Sequence, residues 1–371
     1  MTSKAPVSKP GIGTPHQDGF YLPADTARLG RLWLSWPREP EARAALLPVA
    51  RILADAAPVS VIALPGHEHD ARAALGDVAA VETLEHSSLR LRDTGPTFLV
   101  DGKGGAAAVD WRFNGWGERC AVSEADAGFA HALLGLTEVR RFRAPLTLEG
   151  SAFTGDGFDT LLALAPAVFD PARNPDLPRM EAFAILQQWL GIARVIWLEH
   201  THPRDHLVTD VRALAAFAAT GVVLVSEAPE GHAHSRVLTA VAQDLKRSRD
   251  AHGKHLDVVA LPAPAAETAA PASYTGFIAI NGAVLAPAYG EPGDDRARAI
   301  LAEHFPSHAV RLVPALDLAR CGLTLTSLAL PHPARLLERD RASILPRSAW
   351  SQPPPDVDAL LQKYIDLAAD S

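Results

Sequence analysis

The chain has 371 residues, of which 48% are hydrophobic and 21% are charged, a balance that excludes a disordered polymer and is typical of a folded globular protein. The formal net charge is −8 and no long lysine or arginine run occurs, which excludes an extended basic surface for nucleic acid or anionic lipid. We therefore expect small molecules or proteins as partners.

Residues 1–18 are polar, contain Pro and Gly, and lack the apolar core of a signal peptide. No later stretch gives eighteen unbroken apolar residues, so no membrane span is predicted. Cys120 and Cys321 are the two cysteines, which we interpret as free thiols of a reducing compartment. These features predict a flexible arm over residues 1–18 and a cytoplasmic location.

The first predicted unit is incomplete: the strand "RLGRLWLSWP", an Ala-rich helix over 41–54 and a strand over 58–64. Four segments follow in which an apolar run, a glycine turn and a second apolar run predict a β-hairpin. Their turn glycines are Gly102, Gly157, Gly221 and Gly282. After each hairpin, apolar residues recur at helical spacing, in stretches that start at Glu124, Pro178, Ser235 and Gly293. A short β-rich run then ends each unit, which is therefore ββαβ.

A closed ring is the simplest arrangement of five similar units, because closure buries the faces of each unit and removes exposed sheet edges. We predict one five-bladed, pseudo-symmetric α/β propeller domain over residues 19–333, with an open α/β sheet as the alternative. Nucleotide binding is not supported, since no G-x-G-x-x-G or P-loop motif follows a strand. Residues 334–371 form a predicted extension with a Pro-rich link and an amphipathic helix over 356–369, which caps the ring or contacts another subunit.

Eight motifs occur in the order seen in the agmatine deiminase and bacterial peptidylarginine deiminase family, which the chain resembles from Asp18 to Pro333. They are "DGFYLPADTARLGRLWLSWP", "LRLRDTGPTFLV", "VDWRFNGWG", "LTLEGSAFTGDGFDTLL", "ARNPDL", "VIWL", "INGAVLAPAYGEPGDDRA" and "FPSHAVRLV". The resemblance implies the five-bladed propeller of the guanidino-group-modifying enzymes. It also implies hydrolysis of a guanidinium to a ureido group plus ammonia, as in agmatine to N-carbamoylputrescine in putrescine biosynthesis, without a metal or organic cofactor.

The family reaction needs carboxylates that hold a planar cation, a thiolate that attacks its central carbon, and a histidine that moves protons. Two carboxylates match: Asp93 in an Arg-Asp-x-Gly-Pro motif, and Glu149 in a Leu-Glu-Gly-Gly motif whose second glycine is Ser151. The alternative for Asp93 is a plain turn or capping residue. Arg90 stands where the family has tryptophan, and Trp116 is either a stacking wall or core.

The other catalytic positions do not match. Alignment back from Phe217 places Asp210 at the family histidine and Arg212 at the family aspartate. Alignment back from Pro331 places Leu325 at the nucleophilic cysteine and Thr324 at the histidine before it. The nearest substitutes are out of register: Cys321 comes four positions early, His206 lies four positions upstream, and His200 and His202 lie farther away.

We therefore expect a deiminase-family protein that has lost catalysis, with Arg212 or Arg90 pairing with Asp93 and Glu149 as an internal substrate mimic. The first alternative is an active guanidine hydrolase that uses Cys321, or Asp93 with His206. The second is a non-catalytic interaction or ligand-sensing subunit, which forms a homo-oligomer or pairs with an active paralogue. A guanidino compound such as agmatine or arginine is the expected ligand if one binds.

Overall fold

The computed structural model describes residues 13–229, residues 231–335 and Gln362. These residues contain five small sheets, one for each blade of the predicted propeller. In blades 2 to 5 the first two strands are antiparallel and the third is parallel to the second, which is the ββαβ arrangement. The five-bladed α/β propeller is confirmed, and the open-sheet alternative is wrong.

The helices and strands follow the chain blade by blade. Blade 1 contains β1 (Leu29–Ser35), α1 (Pro40–Ala54), β2 (Val59–Ala63), α2 (Glu68–Leu75), a 3-10 turn (Gly76–Val78) and β3 (Ala80–Thr83). Blade 2 contains α3 (Leu91–Thr94), β4 (Thr97–Val100), β5 (Ala106–Arg112), α4 (Gly115–Glu118), α5 (Glu124–Ala127), α6 (Phe129–Leu134) and β6 (Arg140–Thr147). Blade 3 contains β7 (Phe153–Gly155), β8 (Thr160–Leu164), α7 (Ala165–Val168), α8 (Arg179–Leu190) and β9 (Arg194–Leu198).

Blades 4 and 5 complete the order. Blade 4 contains a 3-10 turn (Val211–Ala213), β10 (Ala215–Ala219), β11 (Val222–Glu227), α9 (Ser235–Arg247) and β12 (Asp257–Pro262). Blade 5 contains β13 (Ile278–Ile280), β14 (Ala283–Ala288), α10 (Gly293–His304) and β15 (Ala309–Pro314). The chain then passes through α11 (Leu316–Arg320) and α12 (Leu325–Leu328) to β16 (Leu330–Pro333).

Strand β16 completes the unit that looked incomplete in the sequence. It pairs antiparallel with β1, with Leu29 opposite Pro333 and Trp33 opposite Leu330. Blade 1 therefore takes the first strand of its hairpin from the far end of the domain, and the sheet order is β16-β1-β2-β3. This pairing closes the ring through backbone hydrogen bonds and covers an edge of β1.

Apolar contacts also run around the ring. In the described part of the chain, buried apolar clusters contain residues from blades 1 and 2, blades 2 to 4, blades 4 and 5, and blades 5 and 1. Strands β2 and β8 are buried at every position because each face meets packed side chains. The blades are thus held together by apolar clusters shared between neighbouring blades as well as by the closing strand.

Two sequence predictions need correction. The arm predicted over residues 1–18 is anchored to the domain at Thr14, which is buried and whose Oγ1 donates to Oε1 of Gln188 at 2.9 Å, while Gln17 and Asp18 are exposed. The helix predicted from Glu124 breaks at Gly128 into α5 and α6. The remaining arm and the predicted helix over 356–369, apart from Gln362, lie outside the described residues. Within the described residues, no helix is both long and apolar enough to cross a membrane.

Candidate functional site

The Asp93 carboxylate is held by two donors from its own chain. Asp93 lies in the single turn α3 and is buried, and its Oδ2 accepts from Nε of Arg90 at 2.8 Å and from Nε1 of Trp116 at 3.0 Å. Its Oδ1 is buried and accepts no bond from another described residue. The Arg90 guanidinium is therefore already bound to Asp93, the carboxylate that the sequence predicts as the partner of a substrate guanidinium.

Arg90 joins blade 2 to the loop before α12. It precedes α3 as the N-cap residue, is buried, and its Nη1 donates to the carbonyl oxygen of Gly322 at 3.2 Å. Burial acts to lower the pKa of Arg90, but the carboxylates of Asp93 and Asp210 outweigh burial and raise the pKa above its ordinary value. Arg90 is therefore a fixed cation, and its expected pairing with Asp93 is present.

Trp116 reaches Asp93 from a strained turn. The short element α4 is left-handed, with φ of 59° and ψ of 48° at Trp116 and positive φ at all four of its residues. Only glycine adopts this region at low cost, so an indole held there indicates a backbone fixed by its surroundings. The Trp116 ring packs edge-on against Phe113 at a centroid distance of 4.9 Å. Trp116 thus acts as a hydrogen-bond donor to Asp93 rather than as an open stacking wall.

Glu149 pairs with an arginine that the sequence interpretation did not assign. Its side chain is fully buried, and Nε of Arg173 donates to its two oxygens at 3.0 and 3.1 Å. Arg173 also binds Asp170 and the carbonyl oxygen of Leu207. Burial raises the pKa of Glu149 to about 7, with Arg173 opposing the shift. The expectation that Arg90 or Arg212 pairs with Glu149 is wrong, although Arg173 was visible in the "ARNPDL" motif.

Asp210 and Thr324, which align with the two family histidines, are joined by a side-chain hydrogen bond. Oγ1 of Thr324 donates to Oδ2 of Asp210 at 2.9 Å and accepts from the backbone N–H of Ser327 at 3.0 Å. Thr324 is the N-cap of α12 in a capping box. Burial raises the pKa of Asp210, with Arg90 opposing it. Both side chains are therefore committed to structural hydrogen bonds.

Leu325, at the aligned nucleophile position, is an ordinary core residue. It is the first residue of α12, is 2% exposed, and belongs to the apolar cluster between blades 5 and 1. A cavity of about 10 Å³ remains beside Leu325, Thr324 and Asp210. Since one water needs roughly 10–15 Å³, this space takes about a single water and no substrate.

Arg212 lies away from Asp93 and Glu149, which corrects the sequence expectation. Its Nη2 binds Oδ2 of Asp25, whose Oδ1 accepts from Nη2 of Arg92 at 2.9 Å. Burial acts to raise the pKa of Asp25, but the two arginines outweigh it and lower the pKa to about 2. Sequence reasoning missed Asp25, although it lies in the first family motif.

The substitute nucleophiles do not form a catalytic pair. Cys321 and Cys120 are exposed free thiols, and within the described part of the chain neither has a histidine in hydrogen-bond range. His206 is exposed. Cys321 caps the end of α11, with its backbone N–H donating to the carbonyl oxygen of Asp317. Neither thiol therefore has a base placed to activate it as a nucleophile.

His202 is buried in a histidine cluster and sets a pH dependence. Its Nδ1 accepts from the backbone of Arg204, and its ring lies 4.8 Å from that of His234. Burial, helped by nearby positive charge from His234, His232 and Arg204, lowers the pKa of His202 to about 3. Below pH 6.5 the His202 side chain therefore binds a proton in the unfolded chain, whereas in the folded protein it stays neutral until the pH approaches 3.

We expect the free energy of unfolding to fall as the pH drops below 6.5, and His202→Gln to flatten that decline. Urea unfolding at pH 7 and pH 5 measures the slope. His206→Gln is the matched control, because His206 is exposed and its replacement leaves the slope unchanged. Equal slopes in the wild type and the His202 variant contradict the assignment.

Comparison with known proteins identifies the family of the chain. The sequence model of the Porphyromonas-type peptidyl-arginine deiminase family matches residues 21–329. The agmatine deiminase of Stutzerimonas stutzeri is 33% identical over 360 residues, covering 86% of this chain and 97% of that protein. The agmatine deiminase of Ectopseudomonas mendocina is 32% identical over 366 residues, covering 86% and 97%.

A solved agmatine deiminase of Enterococcus faecalis superimposes with a TM-score of 0.83 and 24% identity, covering 88% of this chain and 100% of the other. This likeness supports the propeller fold. Because the family match spans nearly the whole propeller, the chain belongs to the Porphyromonas-type peptidyl-arginine deiminase family.

Proposed function

We propose that this protein keeps the deiminase propeller but does not hydrolyse guanidines. The family reaction converts a guanidinium to a ureido group and ammonia, as in agmatine to N-carbamoylputrescine. The observation that carries the proposal is the buried pair in which Arg90 binds Asp93 at 2.8 Å. Arg90 presents the same planar cation as a substrate, so it competes for Asp93 from within the chain.

Competition from Arg90 is strong because the guanidinium is tethered and desolvated. A substrate has to displace a cation held one helical turn from Asp93, whose side chain is fully buried. Breaking a buried ion pair costs on the order of 3–5 kcal/mol when one charge is left uncompensated. The cavity of about 10 Å³ at Leu325, the aligned nucleophile position, is also too small for an agmatine molecule.

The chemical groups of the family reaction are also missing. Leu325 offers no nucleophile, and the Thr324 hydroxyl is engaged with Asp210 and Ser327. A hydroxyl without a free base is a poor nucleophile at neutral pH. This protein therefore makes no N-carbamoylputrescine in our proposal, and its role is non-catalytic.

Turnover is expected to stay at background with agmatine, free arginine and an arginine peptide. Colorimetric detection of ureido product and release of ammonia measure it, with the Stutzerimonas stutzeri agmatine deiminase assayed in parallel as the positive control. Turnover that Cys321→Ala abolishes and Cys120→Ala leaves intact contradicts the proposal and establishes a relocated thiol nucleophile.

Ligand sensing is the second candidate function, and the observation that favours it is a separate cavity of about 50 Å³ beside Asp25. The two free thiols support our proposal that the protein acts in a reducing, cytoplasmic compartment. Pairing with an active paralogue or with a second copy is a further possibility, which co-purification and sedimentation address.

A further inference from the structure

A cavity of about 50 Å³ lies beside the loop that carries Asp25, distinct from the small space at Leu325. Its polar side includes Asp25, Arg92 and Arg212. Its apolar side includes Leu22, Phe98 and Phe153. Three charged residues thus line a space whose other lining is mostly apolar apart from Thr97 and Thr154, which is the composition of a small-molecule site rather than of plain core.

Two buried cations share one ion-pair partner beside this cavity. Arg92 and Arg212 both pair with the carboxylate of Asp25, while the Asp210 carboxylate acts on both arginines without an ion pair to either among the described residues. Arg212 has a side chain that is 3% exposed, and its Nη1 is buried without an acceptor among the described residues. Burial and the charge of Arg212 lower the pKa of Arg92 to about 10. An additional anion relieves the repulsion and supplies the missing acceptor.

The size and lining of the cavity define that anion. Since a water occupies roughly 10–15 Å³ by the same measure, a cavity of about 50 Å³ holds about three to five non-hydrogen atoms. A multiply charged oxyanion is disfavoured by the Asp25 carboxylate and by the apolar wall of Leu22, Phe98 and Phe153. A monovalent carboxylate with a short alkyl chain satisfies both sides.

We propose that the cavity beside Asp25 binds a short aliphatic carboxylate, of acetate to propionate size. Its carboxylate lies on the guanidinium groups of Arg92 and Arg212, after a small turn of Arg212 brings Nη1 to the cavity. Its alkyl end packs on Phe98 and Phe153. The proposal does not depend on the loss of hydrolysis, since neither Leu325 nor the Arg90–Asp93 pair lines this cavity. Arg212 is the residue that borders both this cavity and the small one at Leu325.

The test compares propionate with its neutral isostere propionamide, and with inorganic phosphate, at constant ionic strength and pH 7.5. Ligand-observed NMR titration and thermal unfolding of the full chain measure binding. We expect saturable binding of propionate and a raised Tm, with neither effect from propionamide. We expect Arg212→Gln to weaken propionate binding about tenfold or more, because a charge-assisted hydrogen bond is lost.

Arg179→Gln is the matched control, because Arg179 forms an exposed pair with Glu199 and its loss leaves propionate binding unchanged. If Arg212→Gln fails to fold, the wild-type comparison of propionate with propionamide still decides, and Arg212→Lys, which keeps the charge, is expected to retain binding. The proposal is overturned if propionate does not saturate the wild type, if phosphate binds more tightly than propionate, or if a folded Arg212→Gln variant binds propionate as the wild type does.

Discussion

Arg90→Ala is expected to destabilise the protein and, at the same time, to make it a guanidinium-binding protein. The substitution leaves the Asp93 carboxylate buried with only the Trp116 indole as a side-chain donor. Loss of one partner from a buried ion pair costs about 3–5 kcal/mol. The space that the Arg90 side chain leaves is shaped for a planar cation and faces Asp93. We therefore expect agmatine or methylguanidine at saturating concentration to restore about 2–3 kcal/mol.

Urea unfolding with and without ligand measures both effects, and urea is preferred because guanidinium chloride is itself a ligand of the proposed site. Methylamine at equal concentration controls for a general effect of a small cation. Arg298→Ala controls for the loss of an arginine, because Arg298 forms an exposed pair with Asp295 and exposed ion pairs contribute about 0–1 kcal/mol. The internal substrate mimic is ruled out if the Arg90→Ala variant is as stable as the wild type, or if agmatine does not raise the free energy of unfolding of that variant.

Arg173→Met is expected to destabilise the folded protein by about 3–5 kcal/mol at pH 8. The side chains of Arg173 and Glu149 are both fully buried, and Arg173 also binds Asp170 and the carbonyl oxygen of Leu207. Without Arg173, Glu149 remains in the core as a carboxyl group whose charged form has lost its partner. The cost of the substitution is therefore largest where Glu149 has to ionise.

The pH dependence separates this effect from simple loss of packing. The pKa of Glu149 is about 7 in the folded protein against 4.5 ordinarily, so its contribution favours folding below pH 4.5 and is lost as the pH rises through 7. Removal of Arg173 raises the folded pKa further, so Arg173→Met is expected to be less damaging at pH 5 than at pH 8.

The double variant Glu149→Gln with Arg173→Met completes the cycle for this pair. Because it removes both charges, we expect it to recover much of the stability that Arg173→Met loses at pH 8. Denaturant unfolding of all four proteins at pH 5 and pH 8 measures the coupling. Additive losses that do not change with pH contradict the assignment of the effect to the buried charge.

The propeller could be predicted because each glycine turn marks a local hairpin, and hairpin, helix and third strand recur in order. The closing strand β16 could not, because its partner β1 lies almost the whole domain away in sequence. The four residues of β16, Leu-Pro-His-Pro, carry no signal of the strand edge with which they pair. The break between α5 and α6 at Gly128 was likewise hidden, since the apolar spacing continues across it.

The contacts of the candidate site could likewise be predicted only in part. The Arg90–Asp93 pair was within reach of the sequence because the two residues are three positions apart, a separation that one helical turn brings together. The partners of Glu149 and Arg212 were assigned wrongly, because a long arginine side chain places its charge several ångströms from its backbone position. Alignment fixes the backbone of Arg212 at the family aspartate, but its guanidinium binds Asp25.

The pairing of β16 with β1 also means that the first blade is built from both ends of the described domain. Leu29 and Pro333 face each other in one sheet, so the folded domain is a cycle whose covalent break falls inside blade 1. In the other four blades the hairpin is a covalent loop, whereas in blade 1 the same two strands meet as separate segments. The backbone ladder of blade 1 is therefore the seam at which the two ends of the described domain are joined.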